Sequence, residues 1–248
     1  MYEQYCNYIK LILDKNINDI NFKSNLVYNN ILEHVSKEIG DDYLSVILDK
    51  FGDIFNNNYS YITKIYKRND YIGKPRLYDF SNFIKCSPSN LRYILHSFLI
   101  LNYMKNSKLN NVNIIEIGGG YGGLCFYLYK MCHIFDININ SYIIFDLDEP
   151  LLLQKKYLSY HSIFDVKFYN LKNYDKEKLY ENSFLISNYA FSEIPIEIQN
   201  ILNPYTSHGF LTWNHIDVYN FISDKNIRIE QEYPLTGNGN KYVYFEQL

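Results

Sequence analysis

Residues 114–125 read Ile114-Ile115-Glu116-Ile117-Gly118-Gly119-Gly120-Tyr121-Gly122-Gly123-Leu124-Cys125. An apolar run ends in a carboxylate, and five glycines then fill six consecutive positions. The run is short and β-branched, as a buried strand is, and the residues from Leu124 onward have helical spacing. The glycines are therefore a strand-to-helix turn. There, the missing Cβ lets the backbone take left-handed conformations and approach a ligand closely.

Working outward from this turn, the chain alternates between strand and helix. Strands are predicted at 112–117, 142–145, 166–169, 184–187 and 209–213, and helices at 124–134, 150–160, 196–202 and 218–223. Such alternation implies a parallel sheet covered on both faces, with ligands outside the carboxyl ends of its strands. The last thirty residues depart from the pattern. Strands at 227–233 and 241–246 are separated only by Pro234-Leu235-Thr236-Gly237-Asn238-Gly239-Asn240. That is too short for a crossover helix, so the two strands must pair antiparallel. The expected fold class is α/β: a Rossmann-like, mostly parallel sheet with a C-terminal antiparallel hairpin. This is the layout of class I S-adenosylmethionine-dependent methyltransferases.

Upstream, the sequence is punctuated like a helical layer. Tyr5, Tyr8, Ile9, Ile12 and Leu13 share one helical face, and Ile31, Leu32, Val35 and Ile39 another that Gly40 would close. Gly73 and Pro75 interrupt any helix between 69 and 85. Ser87-Pro88 supplies an N-cap with proline at the first helical position, opening a helix through Leu91, Ile94, Leu95, Phe98, Leu99 and Leu101. The chain is expected to divide into a helical region, 1–110, that covers the active site or mediates oligomerisation, and a core, 111–248.

Composition narrows the partners. The 248 residues are 47% hydrophobic and 21% charged, enough for one large core, and carry a formal charge of −3. The densest basic stretch is Lys64-Ile65-Tyr66-Lys67-Arg68, far short of the basic stripe a nucleic-acid partner would need. The 27 tyrosines, in a background rich in Asn, Ile and Lys, read as codon bias, so a single Tyr carries little functional weight. Cys6, Cys86, Cys125 and Cys132 form no Cys-x-x-Cys pair, which suits reduced thiols inside a cell. No basic and apolar leader opens the sequence, and no apolar run reaches membrane length. The expectation is a cytoplasmic protein with no membrane and no nucleic-acid partner; a homo-oligomer is left open.

The glycine turn fits two ligands. Gly118, Gly120 and Gly123 match the dinucleotide fingerprint G-x-G-x-x-G, which is weak without context. Glu116, Gly118, Gly120 and Gly122 also match acid-x-Gly-x-Gly-x-Gly. A dinucleotide presents a pyrophosphate to helix N-terminal amides, whereas a sulfonium methyl donor has no phosphate and welcomes a carboxylate at the strand end, where Glu116 stands. Both ligands carry a ribose whose hydroxyls want an acid at the end of the next strand. Asp146 fills that place, because Asp148 and Glu149, directly before Pro150, are the better helix caps.

Four runs then resemble a known family, the sugar O-methyltransferases of polysaccharide-modification clusters. They are Ser87-Pro88-Ser89-Asn90-Leu91-Arg92-Tyr93, the stretch from Glu116 to Gly123, Ile144-Phe145-Asp146-Leu147-Asp148-Glu149-Pro150, and Ser187-Asn188-Tyr189-Ala190-Phe191-Ser192-Glu193-Ile194-Pro195. Tyr233-Pro234-Leu235-Thr236 is a weaker fifth, and the first seventy residues match poorly. Asp148 stands where the family pattern has proline. The resemblance implies methyl transfer from S-adenosyl-L-methionine to a hydroxyl of a sugar on a nucleotide or glycan. The expected donor contacts are Glu116, Gly118, Gly119, Gly120, Tyr121, Gly122, Asp146, Leu147, Asn170 and Asn188.

A sugar hydroxyl is a poor nucleophile at neutral pH and gains from a base at the ends of the fourth and fifth strands. His215, in Trp213-Asn214-His215-Ile216-Asp217, is the first candidate because an imidazole titrates near working pH; a backbone-bonded loop histidine is an equal reading. Glu193 is the second, against a capping role before Pro195. His208 belongs at the opposite sheet edge. A divalent metal on Asp217 and other carboxylates would serve as well, but no spacing specifies one. Arg76, Arg92 and Tyr189 are expected to hold the acceptor, the arginines through an anionic group, though surface ion pairing explains either arginine alone. The missing Pro-Pro after Asn188 argues against methylation of nucleic-acid bases. Two other functions remain open: a NAD-dependent oxidoreductase on a nucleotide sugar, and a non-catalytic Rossmann-like module in a glycan-processing assembly.

Overall fold

A computed structural model describes residues 2–32, 35–80, 85–171, 179–214 and 225–247. Helix α1 (Tyr2–Leu13) buries Tyr5, Ile9 and Ile12, which its spacing places on one stripe. A one-turn α2 (Leu26–Asn29) follows two 3-10 turns. The apolar series 31–39 does not form the predicted helix. Instead α3 (Lys37–Asn57) begins within it, where the Ser36 hydroxyl accepts the Ile39 amide at 3.2 Å. Gly40 sits inside this helix rather than ending it, at a place where a Cβ would meet the Phe80 ring at 2.7 Å.

Helix α4 (Tyr59–Tyr71) leads through the two-residue strands β1 (Tyr78–Asp79) and β2 (Lys85–Cys86) to α5 (Pro88–Asn106). Ser87 holds the N-cap position and Pro88 the first turn as predicted, but the Ser87 hydroxyl makes no cap bond. Its amide is instead taken by Asp70 Oδ2 at 2.9 Å. Helix α5 is buried on nearly every side, including Asn90, Arg92, His96 and Ser97. A helix buried all round is an internal strut.

The sheet begins with β3 (Val112–Ile117), followed by α6 (Gly123–Met131), β4 (Ile139–Asp146), α7 (Asp148–Tyr160) and β5 (Val166–Asn170). Then come β6 (Ser183–Asn188), α8 (Ile196–Leu202), β7 (Thr206–Trp213), β8 (Lys225–Gln231) and β9 (Lys241–Gln247). The spatial order is β5-β4-β3-β6-β7-β9-β8. Neighbours from β5 through β7 pair parallel, while β9 runs antiparallel to both β7 and β8. The α/β expectation with a terminal antiparallel pair is therefore borne out, and the last strand inserts inside the sheet instead of extending its edge. The helix expected at 218–223 lies outside the described residues.

Strand residues alternate between two apolar layers. Ile114, Ile144, Ile186 and Phe210 join the larger core with α1 and α3 to α7, and Ile115, Ile143, Leu185 and Val243 form the other face with Phe191 and Leu202. Strand order reverses at β3, whose neighbours are β4 on one side and β6 on the other. This is the switch point where open α/β sheets bind ligands.

Candidate functional site

At that switch point a cleft of about 260 Å³ opens over the carboxyl ends of the strands. Its walls include Gly118, Gly120, Asp146, Asn188, Tyr189 and Glu193. The glycine turn is built for this place. Gly118, Gly120 and Gly122 have φ of +74°, +60° and +91°, so the left-handed residues fall on the acid-x-Gly-x-Gly-x-Gly spacing, while Gly123 is an ordinary helical residue. The Gly118 amide is held by Phe145 O at 2.8 Å, and the Gly122 amide by Gly119 O at 2.8 Å. A Cβ on Gly118 would lie 2.3 Å from Ala190 Cβ; one on Gly120 would meet only Leu32, at 3.6 Å, and would project into the cleft. The glycines at 119 and 122 lie close against Ile144 and Leu158 respectively.

Asp146 ends β4 at the cleft wall. Its Oδ1 accepts the Leu147 amide at 2.8 Å and its Oδ2 accepts Gln154 Nε2 at 2.7 Å. Burial pushes this carboxyl up to about 6, against the lowering effect of the bonds from Leu147, Gln154 and the Gly119 and Gly120 amides. Gln154 Nε2 also donates to Gly120 O at 3.0 Å, so one buried amide from α7 ties the acid to the glycine turn.

Glu116 points into a smaller cavity of about 40 Å³ behind the turn, shared with Arg92, Tyr93, Gly118, Gly119, Gly120 and Asn188. Its Oε2 accepts the Tyr142 hydroxyl at 2.8 Å. Desolvation raises the carboxyl to about 7 even though that hydrogen bond lowers it. Arg92, expected on the acceptor side, lies here instead. It is buried, and its Nη2 donates to Leu32 O at 2.9 Å, because α5 passes beneath the turn and not over its mouth.

Glu193 follows β6 and faces the cleft from the side opposite Asp146. Tyr2 donates its hydroxyl to Glu193 Oε2 at 2.5 Å, and Asn214 Nδ2 reaches Oε1 at 3.3 Å. Burial and this carboxylate push the Tyr2 hydroxyl up in pKa. Tyr189 stands between the two cavities with φ +69° and ψ −35°, a conformation L residues rarely hold without a constraint. The constraint is visible: its amide donates to Thr212 O at 2.7 Å, and its hydroxyl meets Glu232 and, at 2.7 Å, Thr236 Oγ1. Glu232 is fully buried and also accepts the Thr236 amide and Asn240 Nδ2, each at 3.1 Å. Asn188 Oδ1 accepts the Thr212 hydroxyl at 2.9 Å.

Not every predicted residue reaches the cleft. The Tyr121 side chain turns into the helical layer, donating to Asn69 Oδ1 at 3.0 Å beside the Lys23 ammonium. The Asn69 oxygen also accepts Lys23 Nζ and the Tyr157 hydroxyl, so a buried polar cluster draws Tyr121 inward. Arg76 is exposed and does not line the cleft. Leu147 is a partly exposed residue just beyond Asp146, and Asn170 donates to Asp148 at 2.7 Å. His208 lies within β7 near its amino end, beside a different hollow. His215 and Asp217 lie outside the described residues.

Sequence reasoning missed Tyr2, Tyr5, Leu32, Gln154 and Glu232. Only the Tyr233-Pro234-Leu235-Thr236 run pointed near the last of these. The others touch the site through contacts far apart in the chain, for which spacing gives no signal.

No family model and no curated protein matches the sequence. Among solved structures the chain is similar to a SAM dependent methyltransferase from Aquifex aeolicus, with TM-score 0.43 and 15% identity over 56% of this chain and 84% of that one. It is also similar to the CMeT domain of the citrinin polyketide synthase, with TM-score 0.49 and 11% identity over 65% and 54%. A third is M. capricolum TrmK in complex with S-adenosyl-homocysteine, with TM-score 0.43 and 16% identity over 60% and 67%. These are likenesses of fold alone.

Proposed function

We propose that the protein is an S-adenosylmethionine-dependent O-methyltransferase acting on a sugar hydroxyl of a nucleotide sugar or glycan. The observation that carries the donor half of this reading is the glycine turn: its left-handed positions are 118, 120 and 122, behind Glu116, and Gly120 opens on a cleft that Asp146 walls. An L side chain at Gly120 would fill the space that the backbone leaves for a ligand.

When bound, S-adenosylmethionine supplies an electrophilic methyl group on a positively charged sulfur. The chain's own residues would then divide the work. Asp146 accepts from ribose hydroxyls at the end of β4. Glu116 and Arg92, placed together in the inner cavity, are complementary to an ammonium and a carboxylate, which are the two charges of an amino-acid end. Leu147 and Asn170 extend the same edge for the rest of the donor.

For the acceptor, the far side of the cleft offers Tyr189, Glu193, Asn214, Thr236 and Asn240, with Asn188 kept on the donor side beside Glu116. Amides, hydroxyls and one carboxylate suit a molecule that is itself a set of hydroxyls. An acceptor hydroxyl receiving that methyl group would have to give up its proton, and a base at this side of the cleft would take it. Two residues are candidates for that base, and Glu193 is the one that lines the cleft, its carboxylate accepting from Tyr2 and Asn214. His215, which follows Asn214 in the chain, stays the first choice because an imidazole titrates near working pH. Arg76 is kept for acceptors that extend well beyond the cleft.

Mass spectrometry of a nucleotide-sugar panel incubated with protein and donor tests the proposal. A product heavier by CH3 in place of H on one sugar supports it. Donor binding with no methylated product on any member counts against the sugar.

A further inference from the structure

Away from the cleft, at the far end of α7, a hollow of about 370 Å³ is lined by Lys67, Arg68, Tyr71, Tyr160 and His161. Helix α7 starts beside Asp146, and its 13 residues at ~1.5 Å each put this hollow roughly 20 Å from the cleft. It takes in Lys67 and Arg68 of the basic stretch that the methyltransferase reading leaves unused. Lys64, Lys67 and Arg68 are exposed on α4, and Lys130 stands at the end of α6. Among the described residues none of these four cations forms an ion pair, and no carboxylate lines the hollow.

The second observation is His161. It is 4% exposed, with its ring packed at 4.4 Å from Phe126 and 4.6 Å from Tyr157. Its Nε2 has no hydrogen-bond partner among the described residues. Burial, and then the fields of Lys23, Arg68 and Lys130, hold the imidazole neutral, down to about 3. A simpler reading is that the cations only offset the carboxyl ends of α4, α6 and α7. Each end carries about half a negative charge within its last turn. Three such ends offset about one and a half of the four positive charges, and the hollow stays positive.

We propose that this hollow is a second ligand site, for a phosphate-bearing anion. Lys67 and Arg68 meet the phosphate oxygens at the rim, the His161 ring closes the wall behind them, and the exposed rings of Tyr71 and Tyr160 flank whatever the phosphate carries. The site is independent of the methyl-transfer reading.

Calorimetric titration of the full chain at low salt with pyrophosphate and with uridine diphosphate tests it, alongside the double variant Lys67→Ala, Arg68→Ala. Both side chains are exposed, so their removal leaves the core intact, and an unchanged melting curve checks this. Pyrophosphate should bind the wild type, about tenfold or more weaker in the variant and weaker again at high salt, with donor affinity unchanged. Uridine diphosphate binding more tightly than pyrophosphate assigns a nucleotide and engages the tyrosines; equal affinity assigns inorganic phosphate chemistry. If neither probe binds at millimolar concentration, or the double variant binds both as the wild type does, the site is overturned.

Discussion

Gly120→Ala separates backbone strain from ligand exclusion. At φ +60° an added Cβ meets only Leu32, at 3.6 Å, so the empty protein has room for it. The folding cost is then the left-handed conformation alone, about 1–2 kcal/mol, which lowers the melting temperature of a chain this size by a few degrees. In the bound state the same methyl occupies space the donor needs, and donor affinity should fall by about tenfold or more, or ~1.4 kcal/mol. Gly118→Ala is the contrasting case. Its Cβ would lie 2.3 Å from Ala190 Cβ, well inside carbon–carbon contact. Overpacking adds a further ~1–3 kcal/mol to the same strain. Thermal melts should therefore rank wild type above Gly120→Ala above Gly118→Ala, while calorimetry shows donor binding already weakened in Gly120→Ala. Wild-type donor affinity in Gly120→Ala would refute the assignment of this turn as the donor cradle.

Glu116→Gln should move stability and affinity in opposite directions. The folded carboxyl titrates at about 7 against an ordinary 4.5. The unfolded chain releases its proton first, so stability is lost as pH rises between those values, by on the order of 3 kcal/mol once above both. The ligand-free variant should thus melt higher than wild type at pH 8 and alike near pH 4, yet bind the cationic donor more weakly; a melting temperature below wild type at pH 8 would show that the buried charge is not a burden. Glu193→Gln should leave donor affinity intact and slow methyl transfer by ~10²–10⁴-fold. His215→Ala read in the same assay decides between the two bases, because only loss of the proton acceptor gives a drop of that size.

The parallel strands, the glycine turn and the terminal pair were legible because their signals are local: a short apolar run, a cluster of glycines, and a connection too short for a helix. Asp146 was legible for the same reason, standing at the end of a strand before a helix with its own acids. The series Ile31, Leu32, Val35 and Ile39 misled because residues before a helix and residues within it can pack on one core and mimic a single helical stripe, and Ser36 was the overlooked start signal. Arg92 and Tyr121 were misplaced because burial of polar groups is a tertiary matter. Nothing near Tyr121 in sequence tells that Lys23, Asn69 and Tyr157 gather where its hydroxyl would go. Nor does sequence order tell that β9 inserts between β7 and β8, or that Tyr2 of the first helix reaches Glu193 across 191 positions.

Titration of the wild-type protein with S-adenosylmethionine and, separately, with NAD addresses the central reading most directly. Saturable binding of S-adenosylmethionine, weakened in Asp146→Ala, with no binding of NAD, is the expected result. Binding of NAD without S-adenosylmethionine would contradict it.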